Sequence, residues 1–144
     1  MGDGSEPITD DELLYRRVPQ VYYPGGDLSP KAFKATDLDE SGLSLVRAGY
    51  STPERAAITG RNKPMYIAVL RAGDLHEHGL TIVPRPLPGN PGHCEIPELQ
   101  YVDRQDSFSR GAQVLLATRL CIEVLGPYPG QPGPPTREVD IIGR

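Results

Sequence analysis

The sequence has no tryptophan and only two cysteines, two methionines and two phenylalanines in 144 residues. Two cysteines cannot build a disulfide framework, so we expect a protein of a reducing compartment, with cytoplasmic localisation. No uninterrupted apolar run approaches the roughly 20 residues that a membrane-spanning helix needs, and the opening segment is acidic instead of apolar. We therefore expect a soluble protein with no signal peptide and no membrane partner.

Positive charge is also scarce in this chain. The net charge is −4, and the first twelve residues carry five acidic side chains and no basic one, so the remainder is close to neutral. A near-neutral body without a basic stripe lacks the electrostatic footprint of a nucleic-acid-binding protein. Twelve of the fifteen basic residues are arginine, which suits bidentate contacts with carboxylate or phosphate groups.

Glycine and proline are abundant, with 16 residues of each. This composition predicts short elements joined by many turns, within a length that suits one domain. We expect a disordered acidic leader over residues 1–11, a single domain over 12–126 and a Pro/Gly-rich tail over 127–144.

Short apolar segments predict the strands of a small sheet. They are Leu13–Val18, Gly42–Ala48, Met65–Leu70, Leu80–Val83 and Cys94–Ile96, with Val21–Tyr23 also extended. Met65–Leu70 is apolar at almost every position, which places it inside the sheet. Short helical turns are expected after Ser29-Pro30, after Ser51-Thr52-Pro53 with Ser51 as the cap, and over 73–77, closed by Gly79.

A longer helix is predicted from Phe108 to about Leu125, capped by Asp106 or Ser107 and stopped by Gly126-Pro127. Its apolar residues recur at intervals of four: Phe108, Ala112, Leu116, Leu120 and Val124. Such a stripe is buried against a sheet or against a partner. The predicted fold class is α+β: a small mixed or antiparallel sheet of four to six short strands packed against this helix.

The segment between Val83 and His93 is unusually stiff, because four prolines fix the backbone φ angle there. A rigid segment loses little entropy on binding, so this Pro/Gly-rich loop, 84–93, with Arg85 and His93, is a candidate recognition surface. The alternative is a rigid connection that only sets strand geometry.

Arginines in the predicted strands are further candidates for a binding site. Alternation places Arg16 with Leu14 and Val18 on one face and Arg17 on the other. An arginine on a core face needs partners, unless its head reaches solvent. Arg71, together with the basic loop 60–63, could hold a phosphate, although that segment is not a Gly-rich phosphate loop.

The segment Leu13–Val18, LLYRRV, loosely resembles the opening strand of RES-type ADP-ribosyl-transfer toxins. An arginine on the first strand of those proteins helps to hold the dinucleotide. The resemblance implies an NAD-type cleft in which Arg16 or Arg17 contacts a phosphate or a ribose. The glycine- and tryptophan-rich stretch that follows in those proteins is absent here, where PQVYYPGGDLSPKAF follows instead.

Metal and nucleophile chemistry have weak sequence support. His76, His78, His93 and Cys94 are the only metal-like set, and their spacing does not predict convergence, so we expect no metal and no cofactor. Cys94 or Cys121 could act as a nucleophile with His93 or His76 as its base, although Cys121 lies in an apolar stripe. No G-x-S-x-G elbow is present to indicate a serine hydrolase.

Two functional hypotheses follow, and the sequence does not decide whether the protein is an enzyme. The first is a non-enzymatic protein-interaction module that uses loop 84–93 and the apolar C-terminal helix, with another protein or a second copy of the chain as partner. The second is a small enzyme with an Arg/His-lined nucleotide or NAD-type cleft. A cleft lined by Arg16 or Arg17, Arg71 and His93 would favour the second.

Overall fold

The computed structural model describes residues 2–39, 41–58, 63–101 and 106–129. Its strands are β1 Leu13–Pro19, β2 Leu43–Arg47, β3 Met65–Arg71, β4 Val83–Pro84, β5 His93–Ile96 and β6 Glu123–Tyr128. Its α-helices are α1 Pro53–Ala56, α2 Ala72–Glu77 and α3 Ser107–Leu115, and α3 continues into a π-helical turn, Leu116–Leu120. Short 3-10 turns occupy Gln20–Tyr22, Pro24–Gly26, Pro30–Phe33 and Ala48–Tyr50.

The strands form one six-stranded sheet in the order β4-β5-β2-β1-β3-β6, and every pairing among the described residues is antiparallel. The α+β class and the antiparallel form of the sheet are therefore confirmed. β3 lies between β1 and β6, and apolar residues cover both of its faces, as expected for an interior strand.

The pairing of β1 differs sharply on its two sides. It pairs with β3 over seven residue pairs, from Leu13 to Pro19. With β2 it pairs only at Leu14 with Arg47 and at Tyr15 with Val46. The two strands diverge beyond Tyr15, and this divergence opens the sheet beside Arg16 and Arg17.

The two faces of the sheet bury unequal amounts of apolar surface. The main core contains Leu14 and Val18 of β1 and Leu43 and Leu45 of β2, packed with Phe33 and with residues of α2, α3 and the π-helical turn. On the opposite face, a smaller cluster joins Ile67 and Val69 to Ala56 and Ala57 at α1. The second face is therefore only partly covered.

The predicted long helix is wrong at its C-terminal end. The helical segment stops at Leu120, and Glu123–Tyr128 forms an edge strand on β3. The amide of Ile122 donates to the carbonyl of Val69 at 2.8 Å. A helix that ran to Leu125 would leave this edge of β3 without these hydrogen-bond partners. Residues 127 and 128, assigned to the tail, belong to β6, while residues 130–144 lie outside the described residues.

The acidic leader, for which the composition predicts disorder, contacts the rest of the domain in the structure. Ile8 packs against the main core. The guanidinium of Arg47 donates to the carbonyls of Gly4 and Glu6 at 3.0 and 2.9 Å. The buried Arg47 is therefore the hydrogen-bond partner of the leader, and the composition of the leader alone does not indicate it.

Several local predictions are confirmed and several are wrong. The side chains of Ser29 and Asp106 cap the turns that follow them, and Gly79 has a φ of +81° after α2. The cap of α1 is Thr52 instead of Ser51. Residues 20–22 form a 3-10 turn where an extended segment was predicted, and the strand predicted over 80–83 is reduced to Val83–Pro84. Most of the basic loop 60–63 lies outside the described residues.

Candidate functional site

A cleft of about 340 Å³ opens where β1 and β2 diverge. Residues of β1, β2, α1 and the loop between β4 and β5 line it. Its polar lining includes Tyr15, Arg16, Arg17, Asp39, Ser44 and His93. The structure therefore brings three of the five predicted site residues, Arg16, Arg17 and His93, to one place.

Arg16 lies on the core side of β1 and has the partners that this position requires. Its Nε donates to the carbonyl of Ala32 at 2.9 Å and its Nη1 donates to the carbonyl of Ser44 at 3.0 Å. The same nitrogen lies 3.4 Å from Oδ1 of Asp39. Arg16 thus bridges the opening between the two strands and holds one wall of the cleft in place.

Asp39 is buried beside Arg16 and remains ionised. Burial by itself would raise the pKa of Asp39, but the Arg16 guanidinium and the amides of Thr36 and Ser44 hold it below the ordinary value. Those amides donate to the carboxylate at 2.7 and 3.0 Å. The charges of Arg16 and Asp39 therefore offset each other within the wall.

Arg17 projects from the opposite face of β1 and is exposed. Its Nη1 donates to the carbonyl of Ile58 at 3.0 Å. Within the described parts of the chain, no carboxylate forms an ion pair with Arg17. The cleft therefore carries the charge of Arg17, which lies in the field of the Asp39 carboxylate without forming an ion pair with it.

The register of the sheet sets His93 beside Ser44. Val46 is directly opposite Tyr15 on β1 and opposite His93 on β5, so these three side chains share a face. Ser44, two residues before Val46, has the same facing. Nε2 of His93 lies 3.2 Å from Oγ of Ser44, and Nδ1 lies 3.0 Å from the carbonyl oxygen of Arg85.

These contacts define the tautomer of a neutral His93. A carbonyl oxygen can only accept, so Nδ1 carries the proton and donates it to Arg85. Nε2 then has a free lone pair that faces the hydroxyl of Ser44, which also lies within hydrogen-bonding reach of the Asp39 carboxylate. Oε2 of Glu95 lies 3.9 Å from Nε2, and Oε1 of Glu95 accepts from Nε of Arg85 at 2.9 Å.

The remaining predicted site residues lie outside the cleft lining. Arg85 pairs with the buried Glu95, which places it behind His93. Arg71 is opposite Leu13 and pairs with Asp74 at 3.0 Å, while Arg17 is opposite Ile67. Leu13 and Arg17 are four residues apart on β1, so Arg71 lies roughly 13 Å along the sheet from Arg17. Arg71 therefore does not join Arg16, Arg17 and His93.

Sequence reasoning missed Ser44, Asp39 and Tyr15 as site residues. Asp39 lies in the acidic segment 37–41, which contains no recognisable binding motif. Ser44 sits in an apolar strand with no motif around it, and its contact with His93 spans 49 positions. Only the register between β2 and β5 could have revealed it.

The side-chain positions do not support a nucleophilic cysteine or a metal site within the described residues. Cys94 points into the core, opposite to its neighbour His93, and burial raises the pKa of its thiol to about 12. Burial also raises the pKa of Cys121. His76 bonds Asp10, and His78 bonds the carbonyl of Asp74. No group of three or more His, Cys, Asp or Glu residues converges as a metal site in the described ranges.

No protein-family model, curated protein or solved structure matches this chain. The similarity to RES-type toxins therefore rests on the six residues Leu13–Val18. Among the described helices, none has the length and apolar character required to cross a bilayer.

Proposed function

We propose that the protein binds a small phosphate-bearing ligand of the nucleotide class in the cleft between β1 and β2, as the second hypothesis expects. The convergence of Arg16, Arg17 and His93 at the point where the strands diverge is the observation that carries this proposal. For the rival interaction hypothesis, Leu116 and Leu120 of the helical stripe are buried in the core and so are not available to a partner.

The charge of the cleft favours an anion. Arg16 is offset by Asp39, whereas Arg17 forms no ion pair with any described carboxylate. A guanidinium matches the oxygens of a phosphate group with two parallel hydrogen bonds. Arg17 is therefore the phosphate contact in this proposal, and Arg16 is a positioning residue.

The rest of the lining suits a flat, partly apolar group. Tyr15 and Val46 lie side by side on the sheet, and Ala56 and Met65 complete the apolar surface. An aromatic face is a stacking surface for a base. The volume of about 340 Å³ lies at the lower end of the range for small-molecule sites.

Calorimetric titration with ADP, NAD⁺, inorganic phosphate and adenosine tests the proposal. We expect ADP to bind, adenosine to bind more weakly, and Arg17→Gln to weaken ADP binding about tenfold or more, which is roughly 1.4 kcal/mol. Arg119→Gln, an exposed arginine outside the cleft lining, is the matched control. Absence of binding by ADP and NAD⁺ at millimolar concentration, or unchanged binding by Arg17→Gln, would refute the proposal.

A protein partner at loop 84–93 is a second candidate. Leu87 of this loop is 48% exposed, and Leu38, on the other side of the same cleft, is 79% exposed. Two exposed leucines at the rim of a cleft are typical of a surface that another chain covers. We expect the double variant Leu38→Ser/Leu87→Ser to lose a protein that the wild type captures from its native cells. Capture that is unaffected would exclude this surface.

A further inference from the structure

Ser44 and His93 form a hydrogen-bonded pair in the wall of the cleft. Oγ of Ser44 lies 3.2 Å from Nε2 of His93, within the reach expected of a nucleophile and its base. Both residues line the cleft, so a small molecule can approach them. We propose that Ser44 is a nucleophile and His93 its general base, and that the pair transfers the acyl group of small esters to water.

The environment of His93 orients the imidazole for this role. The carbonyl of Arg85 holds Nδ1–H, so the lone pair of Nε2 faces the hydroxyl. Loop 84–93 also holds the backbone of His93 in place, because the amide of Arg85 donates to the carbonyl of His93 at 2.9 Å. A backbone carbonyl thus occupies the orienting place that a carboxylate has in a catalytic triad.

Glu95 supplies the charge that the reaction requires. When Nε2 takes the hydroxyl proton, the ring becomes an imidazolium, and Oε2 of Glu95 lies 3.9 Å from that nitrogen. Glu95 is buried, so its interaction with an imidazolium is weakly screened, and its other oxygen accepts from Nε of Arg85 at 2.9 Å. Glu95 is therefore a positioning and charge-stabilising residue.

The reaction balances without a cofactor or an oxidant. Nε2 takes the proton of Ser44 as Oγ bonds to the carbonyl carbon of the ester. The bond from that carbon to the leaving alkoxide breaks, and the alkoxide takes the proton from His93. Water then gives a proton to His93 and attacks the acyl-serine, which releases the acid and returns the proton to Ser44.

The cationic lining selects the kind of ester. Negative charge develops on the carbonyl oxygen during the attack, and donors at the site stabilise it. Asn90 and Arg17 line the same cleft, and both residue types carry hydrogen-bond donors. Esters whose acyl or alcohol part carries an anionic group suit this lining best. The proposal rests on the accessibility of the cleft and does not require nucleotide binding.

A fluorophosphonate probe tests the nucleophile directly. Incubation of the full chain with the probe should add one adduct, and peptide mass spectrometry should place it on Ser44. We expect Ser44→Ala to abolish the adduct and His93→Gln to slow labelling at least about 100-fold, the scale of general-base catalysis. Ser51→Ala, which removes a hydroxyl outside the cleft lining, should label at the wild-type rate.

Two further readouts separate a base from a structural residue. Free imidazole should partly restore labelling of His93→Ala, because it can take the place of the missing base. Hydrolysis of p-nitrophenyl acetate should be lost in Ser44→Ala, slowed in His93→Gln and unchanged in Ser51→Ala. An adduct on another serine, or no adduct on wild-type protein, overturns the proposal even if the variants fail to fold. ADP binding without labelling refutes the Ser44–His93 pair alone, whereas labelling without ADP binding supports it and refutes only the nucleotide proposal.

Discussion

Arg47 holds Glu12 through a two-pronged ion pair. Nε and Nη2 of Arg47 donate to the two carboxylate oxygens of Glu12 at 2.5 and 3.0 Å. Arg47 is 2% exposed, and its hydrogen bonds with Glu12 raise its pKa above the ordinary value. The end of β2 is thereby joined to the segment that leads into β1.

Glu12→Gln should destabilise the fold. The substitution leaves the charge of Arg47 buried without its main counter-ion, which typically costs about 3 kcal/mol or more. Urea denaturation should show this loss as a lower midpoint. Asp27→Asn, at an exposed site, is the control and should change the free energy of unfolding by less than about 0.5 kcal/mol. An equally small change for Glu12→Gln would show that the pair carries little stability.

The leader should resist proteolysis in the wild type and become cleavable in Gly4→Ala. Gly4 has a φ of +96°, and a Cβ there would lie 1.9 Å from the carbonyl oxygen of Pro91. The methyl group would therefore push residues 2–11 away from the turn before β5. Mass spectrometry of limited digests checks this, with Ser5→Ala as the control. Rapid trimming of the wild-type leader would contradict the contacts with Arg47.

The ion pair of Asp39 and Arg16 should make the free energy of unfolding fall at acidic pH. The pKa of Asp39 is lower in the folded state than its ordinary value of 3.8, so the unfolded chain binds the proton more tightly. The stabilisation is complete above the unfolded value and is lost as the pH falls through the folded one. Asp39→Asn should therefore cost about 3 kcal/mol near pH 7 and less at lower pH.

Chemical denaturation of wild type and Asp39→Asn between pH 3 and 7 measures this difference. Asp37→Asn, in the same turn and exposed, should show no comparable loss at pH 7. A gap between wild type and Asp39→Asn that stays constant down to pH 3 would exclude the ionised pair as its source.

Leu116→Ala should cost about 2–5 kcal/mol. Leu116 is 0% exposed in the π-helical turn and packs in the main core. Val114→Ala, on the same helical segment and 49% exposed, is the matched control and should cost much less. The denaturant midpoints of the two variants measure this difference in the free energy of unfolding. A loss below about 0.5 kcal/mol for Leu116→Ala would mean that this face is not core.

Local patterns predicted the elements whose signals lie within a few residues. The alternation in Leu13–Val18 placed Arg16 on the same face as Leu14 and Val18, and the structure shows that this face is core and supplies partners for the guanidinium. Ser29 and Asp106 were recognisable as caps because a capping side chain bonds an amide two or three residues ahead. The core positions Leu116 and Leu120 followed from their helical spacing.

The same reasoning failed where two patterns fit one segment. Val124 and Leu125 continue the apolar stripe of the helix, yet they are also apolar residues of a strand that pairs with β3. Helical periodicity is a local pattern and contains no information about a distant strand, such as β3, whose edge needs hydrogen-bond partners. The contacts of the leader were hidden for a related reason, since its carbonyls meet Arg47 some 40 to 43 positions away.

By itself, the sequence determined the α+β class, the positions of β1, β2 and β3, the caps at Ser29 and Asp106, and the core positions Leu116 and Leu120. These depend on side-chain periodicity and on backbone preferences, which act over a few residues. Only the tertiary structure decided that β1 and β2 diverge, that Arg17 and His93 share a cleft, and that Ser44 faces His93. Those relationships depend on the register of antiparallel strands far apart in the chain, where a shift of one residue would turn each side chain to the other face.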